Sequence, residues 1–245
     1  MKKFIRYFVL LILMSLHPIF QSHVHDLSGS RFYPQLTGFK ERAFTCQNGK
    51  TIRYSVWVPE NISNDSIPLV MSLHYGGEVL PWYSMGFLKI LVEPAFRDLG
   101  GILIAPDCPG EGWTDPVSET AVLELLDYAM HTWPLDPKRV VITGYSMGGK
   151  GTWFMASRHS GLFSAAIPVP GMPVGNPVIK IPVYAINSRQ DKIIDFRLTK
   201  AKIKVIKGEG VQVNFILLNG PGHYQTEAFV EPLKNSVRWL QKIWK

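Results

Sequence analysis

Cysteine is scarce in this 245-residue chain: Cys46 and Cys108 are the only two. Neither sits in a C-x-x-C or Cys/His spacing, so a structural metal site has no ligand set to draw on. Two cysteines also define no disulfide framework. One falls in an expected N-terminal strand and the other in a loop after a later strand, and the sequence leaves open whether they are bridged. Internal repeats, low-complexity linkers and blocks of like charge are absent as well, which excludes repeat arrays and charged interaction tails. No apolar run reaches the ~20 residues that a bilayer-crossing helix needs.

The first stretch, "MKKFIRYFVLLILMSLHPIFQS", comes closest. Lys2, Lys3 and Arg6 precede an apolar run from Phe8 to Leu16, the pattern of an export signal. Ser22 suits a cleavage site while Phe20 spoils the small-x-small pattern, so an uncleaved membrane anchor is the alternative. The expected organisation is a signal over residues 1–22, an N-terminal extension over 23–39 and a single catalytic domain over 40–245. Removing the signal takes away three positive charges and no acidic ones, so the formal charge falls from +7 to +4. The remaining cations are scattered. Lys200, Lys202, Lys204 and Lys207 alternate with Ala201, Ile203, Val205 and Ile206, as a solvated face beside a buried one does. No nucleic-acid groove is indicated, and no stable membrane span is expected once the signal is cleaved.

With 46% hydrophobic residues, the chain can bury one substantial core. "RAFTCQ" and "IRYSVWVP" read as a hairpin around the Asn48-Gly49 turn. "PLVMSLHY", "GILIAPD", "RVVITGYS", "AAIPVP", "IPVYAIN" and "VQVNFILLN" are short, nearly continuous apolar runs, the mark of parallel strands covered on both faces. Helical stretches lie between them at 82–99, 118–132, 147–159, 195–208 and 224–244. This alternation predicts one α/β domain: a mostly parallel sheet with an N-terminal antiparallel hairpin and helices on both faces. "NISNDS" is a polar connector with two N-x-S/T patterns, at Asn61 and Asn64, which matter only in a glycosylating host. Residues 171–180 are too few to build a lid domain, so the carboxyl edge of the sheet is expected to be open there.

"VVITGYSMGGKGTWF" places Ser146 on a tight turn between a strand and a helix, with Gly144 and Gly148 on either side. In that context G-x-S-x-G is a nucleophile elbow. A serine hydroxyl needs a base to take its proton and a third group to orient the base. Of seven histidines, His17, His23 and His25 lie in or beside the signal, and His131 and His159 end expected helices. His223 follows the last strand in "LNGPGHYQ" and is the candidate base. Asp191 and Asp195 are the only aspartates after Ser146; Asp191 directly follows a strand, whereas Asp195 suits a helix N-cap. The order Ser–Asp–His is that of an α/β-hydrolase. For an oxyanion, the candidate donors are the N–H of Met147 and that of Gly76, with Tyr75 next, from "HYGG". A plain glycine turn is the other reading of His74-Tyr75-Gly76-Gly77.

These segments resemble exported bacterial α/β-hydrolases of the phospholipase/carboxylesterase and "predicted peptidase" branch, related to feruloyl and acetyl-xylan esterases and polyhydroxybutyrate depolymerases. The resemblance spans about residues 50–245. It rests on "IPLVMSLHYGG", "ILIAPDCPGEGWTDP", "LDPKRVVITGYSMGGKGTWFMASRHSGLFSAAIPVPG", "IPVYAINSRQDKII" and "GPGHY". It implies Ser146 as nucleophile, Asp191 as acid and His223 as base. It also implies that Trp113 lies near the mouth of the site, where its ring either stacks on substrate or fills a gap in the core. His74 is carried as a second substrate-binding candidate. There are three departures from the family pattern: Tyr75 stands where a glycine usually follows the histidine, Asn187-Ser188 replaces His-Gly or His-Ser, and Lys150 replaces a small or aromatic residue after the elbow.

The expectation is a serine carboxylesterase acting on a small-molecule or polymer-attached ester in the periplasm or outside the cell, without metal or organic cofactor. A serine peptidase of the same fold is the alternative, and a non-catalytic surface-binding protein retaining the fold is the second.

Overall fold

The computed structural model describes residues 37–60, 62 and 66–245. The export segment, most of the N-terminal extension and the glycosylation patterns' Asn61 and Asn64 lie outside the described residues.

The hairpin forms as its turn signal dictates. β1 (Gly38–Thr45) and β2 (Thr51–Val58) pair antiparallel from Gly38↔Val58 to Thr45↔Thr51, with Gly49 at φ 81° in the turn. β1 starts four residues before the expected run, and Cys46 lies one residue past its end. β2 runs antiparallel to β4 (Ile102–Pro106). From there every pairing is parallel, through β3 (Ile67–Leu73), β5 (Leu135–Tyr145), β6 (Ala165–Val169), β7 (Val183–Ser188) and β8 (Val213–Leu218). The eight-stranded order is β1-β2-β4-β3-β5-β6-β7-β8.

Alternate residues of each strand point to opposite faces, and two hydrophobic cores follow. Leu69, Met71, Ile142 and Ala185 join Leu125 of α3 (Pro116–Thr132), Trp153 of α4 (Met147–Arg158) and Ile203 of α5 (Phe196–Gly208). Val70, Leu103, Val141 and Ile186 meet Leu233, Val237 and Leu240 of α6 (Val230–Ile243) on the other face. The same face takes Phe87 of α1 (Tyr83–Phe87) and Phe96 of α2 (Glu93–Phe96), which a π-turn over Leu88–Val92 connects. Helices thus cover both faces, as the continuous apolar strands require. Asp195 caps α5 by accepting from the Arg197 N–H at 2.9 Å. Cys46 and Cys108 are both buried free thiols, and burial pushes both thiol pKa values up.

No helix or strand occupies residues 171–180. That connector is fastened to α5 by Lys202, whose Nζ donates to the carbonyls of Pro173 (2.8 Å) and Gly175 (3.0 Å). The solvated lysine face therefore includes one cation with a structural task.

The closest backbone approach is between α4 and the end of β3. A Cβ at Gly148 would overlap the Leu73 carbonyl oxygen, and one at Gly144 would lie 2.6 Å from the Gly148 carbonyl carbon. Both obstacles are backbone and cannot rotate away. Gly148→Ala is expected to cost about 2 kcal/mol or more, lowering the thermal midpoint by about 5 °C or more. Gly161→Ala, with nothing within 4 Å of the new methyl, serves as the matched control and should shift it little. Equal midpoints for the two variants in a calorimetric scan would contradict the packing.

Candidate active site

All parallel strands end at one rim, and the three candidate residues of the relay follow β5, β7 and β8 there. Ser146 has φ 57° and ψ −111°, an uncommon backbone conformation for a side chain with a Cβ. Its own N–H is shared between the carbonyls of Val169 (2.9 Å) and Pro170 (3.0 Å) at the end of β6. The bend is thereby locked, and Oγ stands at the rim, 2.7 Å from His223 Nε2. His223 Nδ1 lies 2.8 Å from Asp191 Oδ2, whose side chain is fully buried. The other carboxylate oxygen, Oδ1, accepts from the N–H groups of Ile193 and Ile194, both at 2.8 Å.

Burial alone would raise the Asp191 pKa. The bonds from His223, Ile194 and Ile193 outweigh it and hold the carboxyl below the ordinary carboxylate range. An ionised carboxylate only accepts, so the proton of the neutral imidazole sits on Nδ1 and Nε2 is free to accept from the serine hydroxyl. This is the arrangement in which a ring nitrogen can take the Oγ proton.

Sequence reasoning missed Tyr145. Its side chain is buried beside the elbow, and its hydroxyl donates to the His223 carbonyl at 2.8 Å. Burial, with the nearby Asp191 charge adding to it, drives its pKa well above the ordinary phenol value, so it stays a donor. The residue preceding the serine thus fixes the backbone of the residue opposite. An aromatic at that position was the available signal, and a core role explains it equally well in sequence alone.

The "HYGG" loop lies beside the first turn of α4: a Cβ at Gly76 would be 3.8 Å from both Cβ and Sδ of Met147. The N–H of Met147 belongs to the opening turn, where a helix offers no i−4 carbonyl. Tyr75 is half-buried, with ring contacts to Tyr83, Phe87 and Tyr145. A second missed residue, Asp107, orders the chain after this loop. Oδ2 accepts from Trp82 N–H at 2.8 Å and Oδ1 from Ser84 N–H at 2.9 Å. Tyr83, held between them, donates its hydroxyl to the Gly76 carbonyl at 3.4 Å.

Two expected substrate contacts are corrected. Trp113 is 1% exposed; its ring packs against Gly151 and its Nε1 donates to the His74 carbonyl at 2.8 Å. Of the two readings of this tryptophan, it fills the core. His74 is 0% exposed, donates from Nδ1 to the Tyr75 carbonyl at 2.6 Å and accepts the Cys108 N–H on Nε2 at 3.0 Å. Burial lowers its pKa, in keeping with a neutral ring that both donates and accepts. Both ring nitrogens are used, so the imidazole braces the loop and does not face substrate. His159 pairs with Glu119 at 2.6 Å and His131 with the Asp127 carbonyl at 2.8 Å, both away from Ser146. Among the described residues, no group of three His, Cys, Asp or Glu side chains could hold a metal ion.

Comparison with known proteins adds a lineage. Acetylxylan esterase A of Aspergillus ficuum is 28% identical over 172 residues, which is 65% of this chain and 52% of that protein. Feruloyl esterase B of Neurospora crassa is 29% identical over 139 residues, 51% of this chain and 46% of that protein. The chain therefore spans about half the length of these relatives. Among solved structures, a thermostable esterase superposes with a TM-score of 0.72 at 22% identity, covering 83% of this chain and 62% of that one. The Staphylococcus aureus fluorophosphonate-binding serine hydrolase FphF gives 0.69 at 15% identity, covering 83% and 98%. Acylaminoacyl peptidase from Pyrococcus horikoshii gives 0.65 at 16%, covering 86% and 43%. Likeness at these identities establishes the α/β-hydrolase fold. The model of the dienelactone hydrolase family matches residues 111–237, from the loop after β4 through the elbow, the acid and the histidine into α6. The chain belongs to the dienelactone hydrolase family.

Proposed function

We propose that the chain is a serine hydrolase that cleaves carboxylic esters through an acyl-enzyme on Ser146. The single observation that carries this reading is the continuous relay Asp191–His223–Ser146, at 2.8 and 2.7 Å. The esterase names of its relatives favour an ester over an amide as substrate, and they favour a carbohydrate-linked or aromatic acyl ester. In this reading residues 40–245 are the catalytic domain, exported behind the N-terminal signal. No helix of the described residues is long and apolar enough to cross a membrane.

Chemistry proceeds in two half-reactions. Oγ of Ser146 attacks the acyl carbon as His223 Nε2 takes its proton, and the carbonyl oxygen becomes an oxyanion. The N–H of Met147 and that of Gly76, or of Tyr75, receive this charge, with the opening turn of α4 adding its dipole. The C–O bond then breaks, and Nε2–H protonates the departing alkoxide. Water, deprotonated by the same nitrogen, attacks the acyl-serine; the Oγ–acyl bond breaks, Nε2–H returns the proton to Ser146 Oγ, and the acid leaves. Asp191 keeps the ring oriented and balances its charge when both nitrogens are protonated. Tyr145, through the His223 carbonyl, is a positioning residue.

Ser146→Ala is expected to lose ~10³-fold or more in kcat across a panel of p-nitrophenyl esters, with an unchanged far-UV spectrum. Hydrolysis of peptide anilides but no ester would overturn the ester assignment in favour of a peptidase. A wild type inert on both, and unlabelled by a fluorophosphonate, would leave only a binding role.

The depressed Asp191 pKa also fixes a sign for stability. An unfolded aspartate titrates near ~3.9, so in the acid window the unfolded chain binds more protons than the folded one. The carboxylate's contribution is present above that value and is lost as pH falls through the lower folded value. The gap in thermal midpoint between wild type and Asp191→Asn should therefore narrow between about pH 6 and about pH 3. A gap that widens over this range would mean the carboxylate is not held as described.

A further inference from the structure

Tyr224 immediately follows the buried His223, yet is itself 84% exposed, the most exposed of the large hydrophobic side chains among the described residues. Its ring is not remote from the site. It stands edge-to-face to the His223 imidazole, with centroids 5.4 Å apart and planes at 88°. On that imidazole's other contact lies the buried ring of Tyr145, at 5.8 Å. Of the two rings flanking the imidazole, Tyr224 is the one offered to solvent. Leu80, in the connection after β3, and Ile193, after β7, are also exposed at the rim where these strands end, at 59% and 55%.

Which part of an ester would meet this ring follows from the proton's path. The acyl carbon must bond to Ser146 Oγ, and the acyl oxygen must sit toward the Met147 and Gly76 N–H groups. Nε2 must then reach the leaving oxygen to protonate it. The alcohol portion is thus the part of the substrate that must lie against the imidazole, and Tyr224 is the exposed ring in contact with that imidazole. An aromatic face rewards a flat ring laid on it, whether the C–H face of a pyranose or an aryl ring, and offers little contact to a short open chain.

We propose that Tyr224 is a specificity-determining platform for the leaving group, selecting esters whose alcohol is a ring with an apolar face. This inference rests on the esterase reading above and adds to it the side of the substrate on which selection occurs. No bond to Tyr224 forms or breaks; it acts through binding.

The test compares wild type, Tyr224→Ala and Tyr224→Phe on the full chain. Three esters share whichever acyl group wild type turns over fastest and differ in their alcohol: phenol, a methyl pyranoside and ethanol. Each variant is referred to wild type on the same ester, which cancels differences in leaving-group reactivity. Tyr224→Ala should lose about 10-fold in kcat/KM on the ring esters, mainly through KM, and less than about 2-fold on the ethyl ester. Tyr224→Phe should stay close to wild type throughout. A loss on the pyranoside alone or on the phenyl ester alone also supports the platform and identifies which ring it takes. An equal loss on all three esters, or none on any, overturns it while leaving the esterase reading intact. A wild type without ester turnover overturns both.

Discussion

The site depends on a backbone bend that only a close approach of two chain segments permits. Ser146 sits at φ 57°, and the helix it begins passes so near the end of β3 that position 148 has no room for a side chain. That proximity places the opening turn of α4 beside the loop at residues 74–77. It also turns Oγ out at the sheet's carboxyl edge, where the segments after β7 and β8 arrive. A serine in a relaxed strand-to-helix connection would meet neither the loop donors nor the imidazole. The elbow is strained, and the two bonds from its N–H to Val169 and Pro170 hold the strain in place.

Around this bend, polar side chains outside the proposed trio act largely through the backbone. Tyr145 grips the His223 carbonyl, His74 grips its own loop and Cys108, and Asp107 grips the residues on either side of Tyr83. Each contact restrains a segment that carries a candidate donor or base, and none spends a charge that the reaction would need. Tyr145 ties the end of β5 to the segment after β8, while His74 and Asp107 tie the loop after β3 to the one after β4; the ring contact between Tyr75 and Tyr145 joins the two sets.

Much of this could be read from residue order. Strands buried on both faces leave apolar runs too continuous to mistake, and Asn-Gly fixes the hairpin turn whatever surrounds it. Ser146, Asp191 and His223, which the fold brings within hydrogen-bond reach of one another, each lie within five residues of the end of such a run, where topology leaves one rim for all three. The failures have a common cause. Trp113 and His74 are polar-tipped residues in loops, and loops usually face solvent. Their burial is decided by α4, through the empty space over Gly151, and by an N–H at Cys108, neither of which leaves a mark near them in sequence. Tyr145 was hidden for the opposite reason: an aromatic at the end of a buried strand is ordinarily core, and its hydroxyl partner lies 78 positions away.

The Asp191–His223 pair raises the question of how a buried carboxylate remains charged. A lone ion in that position would cost several kcal/mol in lost hydration. Two backbone N–H groups from the turn at 193–194 and the imidazole N–H replace the missing water. The donors come from the chain's own turn, fixed by its conformation, so they need no reorganisation when the imidazole becomes cationic. A lysine or arginine in their place would also keep the carboxylate ionised, but it would oppose the positive charge that the proposed reaction places on His223. Backbone donors stabilise the anion without that penalty. The turn that follows β7 therefore does two things at once: it aims the carboxylate at Nδ1, and in the proposed reaction it leaves the imidazole as the only full positive charge in the relay.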